Sequence, residues 1–153
     1  MGTQQAIDIA AELCKRFEGF RSNPYICPAG YPTIGYGTVY KPDGTKVTLQ
    51  DSPISEETAL SWLMQELTNN YMSGVLRASP SLINNPLALA AMTDFAYNLG
   101  VGRYRASTLR KRIDNQDWDG ATIELHKWVY GGGKKLPGLV IRRQAEADLL
   151  TSV

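Results

Sequence analysis

Three residues early in the chain have side chains suited to bond cleavage. Glu18, Cys27 and Thr33 are spaced E-x8-C-x5-T within "FEGFRSNPYICPAGYPT". A glutamic acid partly dried by Phe17, Phe20 and Tyr25 has a raised pKa and can donate a proton near neutral pH. A thiol and a hydroxyl facing it across a cleft can hold a water on the other side of the bond being cut. The plainer reading makes Glu18 an exposed helix-end charge, Cys27 a small core residue and Thr33 a strand former; spacing alone favours it. Other groupings carry less. "NQDWDG" (115–120) resembles a calcium loop, but it opens on Asn and has His126 where a bidentate glutamate is needed, so Asp117 reads as a helix cap. "GGGKK" (131–135) lacks the spacing of a phosphate loop and reads as a flexible, basic connector. His126 is alone, and with two scattered cysteines it supplies no zinc set. Arg142, Arg143 and Glu146 read as helix partners three and four residues apart, a structural pattern.

These residues need elements to position them. Ile7, Ala10, Ala11, Cys14 and Phe17 recur at helical spacing, so a helix over 5–17 ends where Glu18 and Gly19 turn the chain. From Asn23 to Thr48, glycines, prolines and tyrosines alternate, as short strands and turns require, and "PDGT" (42–45) marks a hairpin. Ser55 caps a long helix, followed by Glu56 and Glu57 at its positive end. Leu60, Leu63, Met64, Leu67, Tyr71 and Val75 hold one face of it. Asn85-Pro86 caps and starts another helix, ending at Gly100, and further helices are predicted near 107–114, 117–129 and 137–151. Strands are grouped instead of alternating with helices, so the class is α+β with two lobes. One domain spans 1–153: a β-meander lobe over about 19–54, a linking helix over about 55–77, and a helical lobe over about 80–153 that includes the N-terminal helix. Glu18 is then expected at the edge of a cleft between lobes.

The chain has 153 residues, 43% hydrophobic and 20% charged, as in a globular domain. No apolar run approaches the roughly 20 residues that span a bilayer. The N-terminal stretch has acids inside it and does not read as a secretory signal. Both cysteines are then expected as reduced thiols. The net charge of +1 hides an asymmetry: residues 1–100 carry 6 basic against 9 acidic side chains, residues 101–153 carry 10 against 6. A basic third suits an anionic polymer or an ordinary solvated surface.

The ordered set of motifs resembles the phage-type lysozymes, the muramidase endolysins. Glu18 in "FEGFR", Cys27 and Thr33 in "PTIGYGT" match that family's triad of Glu, Asp or Cys, and Thr. The likeness continues through "DFAYNLG" (94–100), "STLRKRID" (107–114) and "VYGGGKKLPGLVIRRQAEADLL" (129–150). It implies a two-lobed lysozyme-like α+β fold and hydrolysis of the β-1,4 bond between N-acetylmuramic acid and N-acetylglucosamine in peptidoglycan, lysing the host cell. In that alignment Glu18 is the general acid, and Thr33 with Cys27 positions the attacking water. Val39, Tyr97, Thr108 and Glu124 fall where the family contacts sugar, and Asn98 is expected to present its amide to a sugar or to the hairpin backbone. The resemblance implies no cofactor and no metal, a monomer, no nucleic-acid partner, and peptidoglycan strands as substrate. It places the protein in the host cytoplasm until a membrane-opening, holin-like partner releases it to the wall. Two positions depart from the family pattern. Cys27 replaces a carboxylate, so a two-carboxylate mechanism does not transfer directly. Thr38 stands where many members have histidine, which bears on any ion pair made there. A catalytically silent wall-binding domain and a lytic transglycosylase remain as alternatives; a nucleic-acid binder leaves Glu18 without a role.

Overall fold

The computed structural model describes residues 2–152. Helix α1 (Gly2–Glu18) buries Ala6, Ile7, Ala10, Ala11 and Cys14 along one stripe. Gly19, at φ +73°, ends it by entering a conformation that other residues avoid. Glu18 is thereby the last residue of a rigid element.

Strands β1 (Arg21–Ile26) and β2 (Pro32–Gly35) pair antiparallel, with Tyr25 opposite Thr33 and an irregularity between Arg21 and Tyr25. A tight turn joins them, closed by Gly30 N–H donating to Cys27 C=O at 2.8 Å. The expected meander is reduced beyond this pair to single bridges, Ile34 with Thr38 and Tyr40 with Lys46. The "PDGT" turn closes as expected, with Gly44 N–H donating to Lys41 C=O at 2.9 Å.

The linking helix starts at Ser55, whose hydroxyl accepts from Thr58 N–H. It is not uniform. α2 (Glu56–Glu66) widens into a π-helical turn (Leu67–Met72) before α3 (Ser73–Ala78). Such turns recur at functional sites, and this one carries Tyr71 into edge-on contact with Tyr97, ring centroids 5.0 Å apart. A 3₁₀ turn (Pro80–Asn84) leads to α4 (Pro86–Leu99).

α4 is the axis of the fold. Residues Ala88 to Ala96 are all buried, and the helix packs against α1 on one side and α8 on another. Asn85 makes no side-chain cap, contrary to expectation; its C=O accepts from Leu89 N–H instead. A cap is worth about 1 kcal/mol, against roughly 1.5–3 kcal/mol for each fully buried large side chain such as Leu89, Met92 or Phe95, so burial and not capping fixes α4.

Short helices α5 (Val101–Ala106), α6 (Thr108–Asp114) and α7 (Trp118–Leu125) complete the lobe. Asp117 caps α7, accepting from Gly120 N–H at 3.0 Å. The expected flexible connector "GGGKK" is instead a small hairpin of β3 (Tyr130–Gly131) and β4 (Lys134–Lys135), turned by Gly132 and Gly133 at positive φ. α8 (Pro137–Leu150) returns to the core.

Candidate active site

Glu18 ends α1 with its side chain 24% exposed. It was expected in a dry aromatic setting, and the structure gives it a different one. Phe20 packs on Tyr36, and Phe17 lies beneath the guanidinium groups of Arg16 and Arg142. The closest partner of Glu18 is Arg142, whose Nη1 donates to Oε2 at 2.7 Å. Arg142 also grips Asp94 with two parallel bonds, Nε to Oδ2 at 3.0 Å and Nη2 to Oδ1 at 2.8 Å. Bidentate pairing of this kind fixes a guanidinium in plane.

Behind that pair lies a buried polar cluster. Cys14 Sγ donates to Asp94 Oδ1 at 3.3 Å. Arg143, fully buried, donates to Asn98 Oδ1 at 2.8 Å and to Glu146 Oε2 at 2.9 Å. Its Nε also lies 2.7 Å from Glu146 Oε1, yet neither atom makes an aligned hydrogen bond, so proximity and not directed bonding describes that contact. Burial, then the bond and charge of Asp94, push the Glu146 carboxyl well above the ordinary range. Burial acts on Asp94 the same way, but the Glu146 bond and the Arg142 charge outweigh it and hold Asp94 low. The two carboxyls are thereby driven apart, Asp94 toward its charged form against Arg142 and Glu146 toward its neutral one.

The other side of the site is the hairpin. Thr33 is buried on β2, its hydroxyl donating to Tyr31 C=O at 2.8 Å. Cys27, part-exposed at the end of the Cys27–Gly30 turn, is a free thiol. Burial is the largest single influence and raises it, but the Tyr31 backbone, the Thr33 side chain and the Ala29 and Gly30 backbone together outweigh that and hold it below an ordinary thiol. The Tyr25 phenol is raised by burial first and then by Glu18, with Cys27 adding to it, so Tyr25 lies within the field of both. The turn that follows β2 closes on the acid. Gly37 has φ +86°, and a β-carbon there would lie 3.0 Å from Glu18 Oε1 and 3.4 Å from the Tyr97 hydroxyl. Only glycine lets this turn approach so closely. Oε2 is taken by Arg142, which leaves Oε1 as the oxygen facing the turn.

The residues aligned with sugar contacts divide. Val39, half-buried, lines a concavity of about 350 Å³ on the hairpin with Tyr31, Lys46 and Leu49. Thr108 is exposed at the start of α6. Glu124 on α7 pairs with Lys127 at 2.7 Å. Asn98 does not reach the hairpin backbone, because Arg143 takes its carbonyl oxygen; Tyr97 does, its hydroxyl donating to Tyr36 C=O at 2.7 Å. The sequence reading gave Arg142 only a structural place among helix partners and gave Asp94 no role; the structure pairs Arg142 with Glu18 and Asp94 instead. One signal was available: Arg143, Glu146, Ala147 and Leu150 share the buried face of α8, so charged groups occupy core positions there. A concavity of about 670 Å³ between α1 and α8 holds Asp8, Glu12 and Arg16 and none of the triad.

A mainly helical fold with a small antiparallel hairpin set against a carboxyl at a helix end is that of a lysozyme-like glycoside hydrolase. The phage lysozyme family profile matches residues 15–146, and the chain belongs to that family. It is 32% identical over 144 residues to the endolysin of Acyrthosiphon pisum secondary endosymbiont phage 1, covering 92% of this chain and 93% of that protein. A SAR-endolysin of bacteriophage PS119 is 30% identical over 135 residues, covering 86% and 75%. Among solved structures, the endolysin from Escherichia coli O157:H7 phage FAHEc1 superposes with TM-score 0.80 at 29% identity, covering 95% of this chain and 92% of that one.

Proposed function

We propose that Glu18 is the general acid with which this endolysin, a lysozyme-type glycoside hydrolase of peptidoglycan, cuts the β-1,4 bond between N-acetylmuramic acid and N-acetylglucosamine. The single observation that carries this reading is the state of the Glu18 carboxyl. Arg142 holds one oxygen, while the other faces the Gly37 turn with no hydrogen-bond donor on it among the described residues. When Oε1 carries a proton, the guanidinium is not stranded, because Asp94 still holds it by two bonds. The acid can therefore cycle between protonated and ionised forms within a fixed frame, as general acid catalysis requires.

In this reading the proton passes from Glu18 Oε1 to the glycosidic oxygen as the bond to the anomeric carbon breaks. A water held beside Thr33 and Cys27 attacks from the opposite face and passes its proton to the Cys27 thiolate, which releases it to solvent as Glu18 takes up a new one. A thiolate at Cys27, favoured by the backbone amides around it, also stabilises positive charge growing on the sugar. Val39, Tyr97, Asn98, Thr108 and Glu124 remain the proposed sugar contacts, Tyr97 through its ring and Asn98 through its free NH₂ group. The protein acts as a monomer on glycan strands. Among the described residues no helix is long and apolar enough to cross a membrane. Release from the host cytoplasm through a membrane-opening partner is part of the same proposal.

The test is turbidity loss of outer-membrane-permeabilised Gram-negative cells with wild type and Glu18→Gln. Lysis that vanishes in a folded Glu18→Gln protein is the expected result, and full activity of that variant overturns the assignment. Mass spectrometry of the products separates hydrolysis from a transglycosylase, since only hydrolysis adds water across the bond.

A further inference from the structure

The acid and the water-holding residues belong to different lobes. Glu18 is tied to α8 and α4 through Arg142 and Asp94. Thr33 and Cys27 ride on the β1–β2 hairpin. In-line displacement needs the gap between them fixed, and misplacement by about 1 Å costs on the order of a hundredfold in rate. The segment that bridges the gap is Tyr36–Gly37–Thr38. At one end Ile34 and Thr38 exchange backbone bonds of 3.0 and 2.9 Å, which couples the segment to the neighbour of Thr33. In its middle, Gly37 lies against Glu18 Oε1.

Two side chains from outside the hairpin grip this segment on either side of Gly37. The Tyr97 hydroxyl, on α4, donates to Tyr36 C=O at 2.7 Å. Thr38, wholly buried, donates its hydroxyl to Glu66 Oε1, at the end of α2, at 2.8 Å. The Tyr36 side chain is pinned too, its hydroxyl on Glu56 Oε2 at 2.6 Å. We propose that Tyr97 and the Thr38–Glu66 pair form a two-point clasp that seats the Gly37 turn on Glu18, making Tyr97 a positioning residue for hydrolysis. The proposal rests on Glu18 as the acid. The π-helical turn after Glu66 serves the same clasp, since it brings Tyr71 edge-on to Tyr97 and fixes the ring whose hydroxyl makes the bond. Burial, foremost, and the nearby Glu66 keep the Tyr97 phenol protonated, so it stays a donor.

The experiment compares wild type, Tyr97→Phe, Thr38→Val and Glu18→Gln on soluble peptidoglycan oligomers, below the melting temperature of each. Tyr97→Phe keeps the ring and removes one hydroxyl. The clasp requires kcat to fall about ten- to a hundredfold in Tyr97→Phe and in Thr38→Val, with KM within about twofold and a displaced Gly37 amide resonance in the NMR spectrum of each. A kcat for Tyr97→Phe within about twofold of wild type, or a loss carried by KM, overturns it while an inactive Glu18→Gln leaves the acid assignment standing. An active Glu18→Gln removes the acid assignment and the clasp with it.

Discussion

Arg142 joins Glu18 to Asp94: one guanidinium gives a 2.7 Å bond to the exposed-side carboxylate and two bonds, of 2.8 and 3.0 Å, to the buried one. Removing the shared cation leaves Asp94 as an uncompensated buried charge, and breaking a buried pair in this way costs about 3–5 kcal/mol. Arg142→Met is therefore expected to lose stability on that scale in urea titrations at pH 7, and to lose lytic activity at temperatures where it remains folded. A loss below about 1 kcal/mol would mean the cluster relaxes by protonating Asp94.

Glu146 gives the opposite outcome. Burial, then Asp94, pushes the Glu146 carboxyl toward its neutral form, and Glu146→Gln keeps that shape without a proton to bind. Near-wild-type stability is expected at pH 4.5, within about 1 kcal/mol, the worth of one rearranged hydrogen bond, and greater stability than wild type at pH 7, where only wild type must bind a proton on folding. Glu146→Ala opens a cavity beside Arg143 and is expected to cost several times more. Equal losses in the two variants would show that Glu146 is ionised.

Much of this architecture is legible in the chain because it is local. Ser55 and Asp117 cap helices within three residues of themselves, and Gly19 ends α1 next to Glu18. The features that organise the site are not local. Arg142 meets Glu18 across 124 positions, and Tyr97 meets Tyr36 across 61. Periodicity says that position 142 is helical, but not which carboxylate lies over it. The widening of the linking helix into a π turn leaves no mark on its apolar spacing either. The β3–β4 hairpin was missed because three successive glycines weaken every local preference, and its two-residue strands are fixed by packing ahead of α8. Asn98 was expected to present its amide to a sugar or to the hairpin backbone; adjacent helix residues point about 100° apart, so Tyr97 reaches the hairpin while the buried Arg143 claims the Asn98 carbonyl.

Glu66 makes stability depend on pH. Its carboxyl is raised by burial to about 7, with the Thr38 hydrogen bond pulling the other way. Tyr71 from the π turn and Tyr97 from α4 feel its charge, and Lys41, across the same concavity, pairs with Asp51. A carboxyl that binds its proton more tightly when folded than its ordinary 4.5 stabilises the fold at low pH. That contribution is lost as pH rises from near 4.5 through 7. The full shift corresponds to about 3 kcal/mol. Glu66→Gln, which still accepts from Thr38, is expected to match wild type at pH 4.5 and to exceed it at pH 8 by up to that amount. Parallel stability curves for the two proteins across this range would place the titration elsewhere.

Cys27 and Cys14 should differ sharply toward an alkylating agent. Only the thiolate attacks iodoacetamide. Cys14 is buried on α1 against Asp94, and burial first, then the Asp94 charge, push its thiol well above the ordinary range. Cys27 is part-exposed, and the amides of its turn with Thr33 hold its thiol below that range. Native protein at pH 7.5 is therefore expected to take up one carbamidomethyl group, on Cys27, faster than a free cysteine peptide with an ordinary thiol. Because that group fills the space assigned to the attacking water, modification should abolish turnover, whereas Cys27→Ala should retain a fraction of it through Thr33. Wild type should release a product of inverted anomeric configuration by NMR, since water and not the protein attacks carbon. A retained anomer would instead require a covalent glycosyl intermediate, with Cys27 as its nucleophile, and alkylation of Cys14 ahead of Cys27 would contradict the electrostatics of both sites.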